Sequence, residues 1–208
     1  VSQEVMLKAT GKDIKALLTD RFFEPLGMSS VSMDHESLMN TDNIALPHIK
    51  RRNGWKQVLP RDNYYNAIAA GGINANSLDM AKWMRFLLGH NPEVMSKDEM
   101  APAFKPFIEL KGHRKYYQKW PGHVKSSYGF GWRIHTLKEN ESGAEETIWH
   151  HGGSVNNYRN EIALFPESDL GICVLINGPS KLVKTVIPDL RAIVKSIYDK
   201  DIAVATSI

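Results

Sequence analysis

The stretch from Trp149 to Asn177, WHHGGSVNNYRNEIALFPESDLGICVLIN, holds the residues best suited to chemistry in this chain. His150-His151 runs into Gly152-Gly153-Ser154 just ahead of two long apolar strands, which a turn at Pro166-Glu167-Ser168-Asp169 joins. Glycine lets the backbone approach a ligand closely and leaves its N–H groups free to point outward. A backbone N–H fixed in such a loop supplies half of an oxyanion hole. The competing reading is a simple bulge at a strand end.

The other reactive side chains say less. Neighbouring residues of a strand point to opposite faces, so His150 and His151 do not readily share a metal, and no acid stands at ligand spacing beside them. The remaining histidines, His135 in a strand among them, read as surface residues. The single cysteine, Cys173, excludes an internal disulfide and a cysteine-based zinc cluster. Its apolar neighbours mark it as a buried thiol. A serine activated by lysine one helical turn away needs Ser-x-x-Lys, which does not occur; Ser180 to Lys184 and Ser196 to Lys200 are one residue too long. Gly-x-Ser-x-Gly is also missing, while Tyr64-Tyr65-Asn66 fits a short, common Tyr-x-Asn pattern.

These residues need elements to position them. Up to Phe23 the pattern predicts two helical stretches divided at Thr10-Gly11, with Ile14, Leu17, Leu18 and Phe22 as a buried stripe. Pro25-Leu26-Gly27-Met28 ends them, and 29–66 reads as a long loop region. Ala69-Ala70-Gly71-Gly72 reads as a tight turn. Asn76-Ser77 caps a helix with Met80, Trp83, Met84, Leu87 and Leu88 on one face, Asp79 suiting its dipole and Gly89 closing it. A short helix and a basic, aromatic loop fill 92–120. Strands follow at 128–134, 146–149, 161–165 and 171–176, and short turns imply antiparallel pairing. A last helix over about 181–198 packs on them, with Pro188 predicting a kink or a late start.

At 208 residues, 42% hydrophobic and 24% charged, the chain can bury a real core. A formal charge of +3, with Lys and Arg scattered among acids, argues against a nucleic-acid partner. No segment is long and apolar enough to cross a bilayer. Val1 to Leu7 reads as the middle of a helix with no initiator Met, so the chain is expected to be a fragment.

Four segments in order carry a resemblance. TGKDIKALLTDRFFEPLGM (Thr10 to Met28) is similar to a helix ending in Pro-Leu-Gly-Met, and AAGGINANSLDMAKWMRFLL (Ala69 to Leu88) to an Ala-Gly-Gly turn with its helix. SYGFGWRI (Ser127 to Ile134) is similar to a Tyr-Gly-x-Gly-Trp strand, and HHGGSVNNYRNEIALFPESDLGICVLIN to a third active-site motif with its hairpin. Together they resemble the serine β-lactamase-like superfamily, in the branch of class C β-lactamases, D-alanyl-D-alanine carboxypeptidases and family VIII esterases.

The resemblance implies an α+β fold, an antiparallel sheet flanked by helices beside a mostly helical region, with the N-terminal part of the fold missing. Residues 1–126 would form the helical and loop portion, 127–200 the strands and last helix, and 201–208 a tail. It implies a serine hydrolase that cleaves amides or esters through an acyl-serine, using the Ser of Ser-x-x-Lys and the Tyr of Tyr-x-Asn. His151, Gly152 and Gly153 fall on the third motif, Ser154 would give the second oxyanion N–H, and a register on His150-His151-Gly152 is the alternative. Substrate contacts are expected from Gly152, Gly153, His150, Asn156 and Tyr65, the substrate being a β-lactam, a D-amino-acid peptide or a small ester.

No cofactor or metal is implied, and the family is mostly periplasmic or secreted. Three departures stand out. Tyr64-Tyr65-Asn66 comes too late in the chain for the family tyrosine, Asn156 and Asn157 stand where glycines are usual, and His151 in place of lysine is commoner in esterases and peptidases. The chain alone is expected to be inactive, and to dimerise, swap elements or bind the missing N-terminal part. The alternative is a non-catalytic binding or regulatory module of the same fold.

Overall fold

The computed structural model describes residues 1–139 and 142–205, with side chains of the last helix described through Tyr198. The chain divides into two compact units, the first made of Val1–Met100 with 153–159 and 175–179, the second of Ala101–Gly152 with 160–174 and 180–208.

In the first unit, α1 (Ser2–Thr10) ends at Gly11, whose φ of 71° glycine adopts without strain. Asp13 then caps α2 (Ile14–Leu18) by accepting from Ala16 N–H, so the expected break at Thr10-Gly11 is present. A π-helical turn, Thr19–Phe23, carries the chain into Pro25-Leu26-Gly27. It brings Phe22 against Trp83 and Phe86, with ring centroids 5.9 and 5.6 Å apart. Asn76 caps α5 (Ser77–Leu87) through Asp79 N–H as expected, and Gly89 follows it at φ 88°.

Several expectations for this unit are corrected. The stretch 29–66 is not one long loop: it holds α3 (His35–Met39), the strands β1 (His48–Arg51) and β2 (Gly54–Gln57), and most of a 3-10 turn, Asp62–Ala67. The strands form a hairpin in which Arg51 faces Gly54, leaving Arg52-Asn53 as a two-residue loop. The signal was the Asn53-Gly54 dipeptide, masked by strands too polar and exposed to show alternation. Ala69 to Gly72 is not a bare turn either, since α4 (Ile68–Gly71) makes one helical turn there. Gly72 is obligatory, as a Cβ would stand 2.6 Å from the Ile68 α-carbon. Asp79 does more than suit the dipole: fully buried, it accepts from Ser30 N–H at 2.9 Å and pins the segment after Met28. A short helix, α6 (Lys97–Met100), ends this part of the chain.

The second unit is built on a six-stranded sheet in simple sequence order. Its strands are β3 (Ile108–Glu109), β4 (His123–Tyr128), β5 (Arg133–Lys138), β6 (Glu145–Val155), β7 (Tyr158–Phe165) and β8 (Leu170–Ile176). The expected strand at 128–134 is instead a turn: Gly129–Trp132 joins β4 to β5, which pair through Tyr128 and Arg133. Two glycines and an aromatic-rich strand motif fit either arrangement, and Gly131 at φ 78° decides for the turn. A 3-10 turn, Pro166–Ser168, with Asp169 at φ 48°, closes β7 onto β8 as the sequence suggested.

The last helix, α7 (Val186–Ala205), starts late, and Pro188 lies in its first turn, where a missing N–H costs nothing. It runs into the stretch taken as a tail; 206–208 lie outside the described residues. Val186 and Ile187 join Ile148, Ala163, Phe165, Ile172, Tyr117 and Trp120 in one buried cluster on the sheet. Tyr117 and Trp120, expected in a basic, aromatic loop, therefore belong to the core. Trp120 also donates its indole N–H to Lys184 C=O at 2.8 Å.

Candidate active site

The His-Gly-Gly segment is neither loop nor bulge. β6 runs unbroken through His151, Gly152, Gly153 and Ser154, and the chain turns only at Asn156-Asn157. Both asparagines take positive φ, 49° and 65°, as the two-residue hairpin loop of a twisted sheet demands. Asparagine tolerates that region, which explains how the turn forms where glycines were expected.

Strand alternation now sorts the residues. His150 is fully buried, so it faces the interior and not a substrate, a correction to its place among the expected contacts. His151 lies half-buried on the opposite face. Gly152 shares the interior face with His150, and a Cβ there would sit 2.6 Å from the carboxyl carbon of Glu161. Gly153 opens outward, with no atom within 4 Å of the position a Cβ would take. The two glycines thus serve different ends: one makes room for a buried acid, the other leaves bare backbone beside open space.

Beneath this strand lies a hydrogen-bonded series that the sequence reading did not find. His150 Nε2 is 2.8 Å from Glu161 Oε2, which also accepts from the Tyr116 hydroxyl at 2.8 Å. His150 Nδ1 is 3.2 Å from His135 Nε2, His135 Nδ1 is 2.8 Å from Ser126 Oγ, and Ser126 Oγ is 2.7 Å from His123 Nε2. Ser126, His135, His150 and Glu161 are all buried. His135 is therefore no surface residue. Burial, followed by the charges of His150, His123 and Arg133, pushes it down to about 2, so it stays neutral. A signal did exist: with a two-residue loop at Asn156-Asn157, counting back along the hairpin sets Glu161 opposite Gly152.

His151 is also held below the usual imidazole range, first by burial and then by Arg133, with Glu161 pulling the other way. At neutral pH it offers a neutral ring that donates one hydrogen bond and accepts another. Asn156 and Tyr65 lie in the first unit, each already engaged. The Asn156 amide accepts from Arg61 N–H at 3.3 Å and donates to Arg61 C=O at 3.0 Å. The Tyr65 hydroxyl meets the amide of Asn74, which in turn holds Ser32. Burial raises the Tyr65 phenol, against the Asn74 hydrogen bond. The structure thus gathers His151, Gly152, Gly153 and Ser154 on one strand and gives Tyr65 and Asn156 structural partners of their own.

The family model described as Beta-lactamase matches residues 2–194. A curated relative, the Unguisins hydrolase ungD' of Aspergillus campestris, is 26% identical over 175 residues, covering 80% of this chain and 29% of its own length. Among solved structures, the octameric penicillin-binding protein homologue from Pyrococcus abyssi superposes with a TM-score of 0.71 at 24% identity, over 91% of this chain and 40% of that one. The D-amino acid amidase from Ochrobactrum anthropi, solved with L-phenylalanine amide, gives 0.66 at 14% identity, over 96% and 55%. The chain thus spans less than two thirds of each of these relatives. The fold is the antiparallel-sheet and helix arrangement of the serine β-lactamase-like superfamily, and the chain belongs to the Beta-lactamase family.

Proposed function

We propose that this chain supplies the third-motif wall of a serine hydrolase that cleaves an amide or ester through an acyl-serine. The observation that carries the reading is the form of β6: a regular strand with His151 on one face and, two residues on, Gly153 beside open space. In this reading His151 hydrogen-bonds the carboxylate or carbonyl side of the substrate, and the Ser154 N–H steadies the oxyanion. The relative named as a hydrolase of unguisins supports a hydrolytic role, and the penicillin-binding protein homologue and the D-amino acid amidase share the fold.

The nucleophile of this reading lies outside these residues, which contain no Ser-x-x-Lys. Nitrocefin, p-nitrophenyl acetate and D-phenylalanine amide, offered to the 208-residue chain, should all stay intact. A longer product of the same gene with Ser-x-x-Lys should turn over at least one of them. In that protein His151→Ala should lower kcat/KM by about a hundredfold. Full activity of His151→Ala, or turnover by the 208-residue chain, would overturn the reading. The octameric state named for the Pyrococcus abyssi homologue supports self-association of this protein too, which light scattering after size exclusion would test.

A further inference from the structure

We propose that Glu161 is a positioning residue: from beneath β6 it fixes the path of His151-Gly152-Gly153 and sets the electrostatic surroundings of His151. The proposal rests on the role given to His151 above and adds to it a residue that touches no substrate.

Three observations converge on Glu161. Its carboxylate occupies the space that a side chain at residue 152 would need, so strand and acid interlock at that point. Its Oε2 is held at 2.8 Å by both His150, from β6, and Tyr116, from the 3-10 turn Tyr116–Lys119. And the acid is buried with no side-chain exposure. A carboxylate placed this way cannot drift without breaking both bonds, and the backbone of Gly152 rides on it.

The relay behind His150 secures that placement. A carboxylate only accepts, so Tyr116 donates its hydroxyl and His150 donates through Nε2. With a neutral His150, the series is polarised from the half-buried His123 inward: His123 donates to Ser126, Ser126 to His135, His135 to His150, and His150 to Glu161. With an imidazolium at His150, each of the links from His150 outward to His123 reverses, and every link is still satisfied. His135 is neutral in both cases. The two polarities differ by one proton on a residue that adjoins His151, so Glu161 and its partners form one electrostatic unit under the motif.

The groups acting on His151 are few. Burial, and then Arg133 from β5, disfavour its protonation, while Glu161, from β7, favours it. His150 adjoins it on its own strand, with His135, His123 and, near His123, His113 further along the relay. Removing the Glu161 charge leaves Arg133 unopposed.

Histidine ring resonances of the isotopically labelled chain, followed by NMR across pH without substrate, test the electrostatic half. Glu161→Gln should move the His151 titration to lower pH, and Glu161→Asp should restore it toward the wild-type position. An unchanged His151 titration in folded Glu161→Gln would overturn the proposal. The interlock is tested by a double-mutant cycle that does not require Glu161→Gln to fold. Gly152→Ala should lower the urea midpoint clearly in the wild-type background and much less in Glu161→Asp, whose shorter side chain clears the added Cβ. Additive effects would overturn the interlock. Both readouts are independent of catalysis. If they hold while His151→Ala hydrolyses substrate normally, the functional reading of His151 fails and the role of Glu161 in shaping β6 stands.

Discussion

His150 Nε2 lies 2.8 Å from Glu161 Oε2, and neither side chain reaches solvent. The two residues sit on adjacent strands of one hairpin, either side of the Asn156-Asn157 turn. His150→Leu keeps the volume but takes a donor from the acid and a partner from His135. A buried acid that loses one of its donors is costly, so the variant should lose about 3 kcal/mol of stability. Urea unfolding at pH 7 measures this; a loss under 1 kcal/mol would mean that water or another donor replaces the ring.

Acid should weaken the fold through His135. Its folded-state value is about 2 against an ordinary 6.5, so between these the unfolded chain binds a proton that the folded chain refuses. Stability from this group is complete above pH 6.5 and is lost progressively as pH falls toward 2. At pH 5 the loss amounts to about 2 kcal/mol. Urea midpoints at pH 7 and pH 5 report it, and His135→Gln should flatten the difference between them.

The paired glycines should part company on substitution. Gly152→Ala drives a methyl into the buried Glu161 carboxyl group and should cost roughly 1–3 kcal/mol. Gly153→Ala meets open space at an ordinary strand φ and should leave stability within about 0.5 kcal/mol. Thermal denaturation of the two variants compares them directly. Equal losses would show that the segment demands glycine for its backbone and not for Glu161.

Cys173 is half-buried on β8 rather than fully buried as its apolar neighbours suggested, and it should still be a slow thiol. Burial pushes it up to about 11 from 9.0, which leaves about a hundredfold less thiolate than a free cysteine has near neutral pH. Ellman's reagent at pH 8 should label it slowly in the folded chain and fully in urea. Rapid labelling of the folded chain would place the sulfur nearer solvent than β8 allows.

Much of the fold was legible because its signals are local. Gly11, Asn76 and Gly89 punctuate helices by rules that need no tertiary context, and the Pro166–Asp169 turn is written in four residues. The β6 motif was also legible as a place, though not as a shape. The sheet's polar interior was not, because Ser126, His135, His150 and Glu161 come from four strands and only pairing register brings them together. Ser126, His135 and Glu161 alone look like ordinary surface residues, and His150 alone looks like a substrate contact. Asp79 does lie in the first turn of its helix as expected, but its buried bond to Ser30 was not legible, because Ser30 lies 49 residues away.

The first unit borrows its last pieces, 153–159 and 175–179, from the far side of the sheet-forming stretch. During synthesis its first hundred residues leave the ribosome well before the chain reaches Pro179. Another 79 residues must follow Met100, which at 5–20 residues per second takes about 4–16 s. For that interval His48 lacks Asn177 C=O, and Arg61 lacks the Asn156 amide that brackets it. The first unit therefore cannot complete its own hydrogen bonds until the sheet-forming stretch between its pieces has been made, so its folding waits on residues that belong to the other unit.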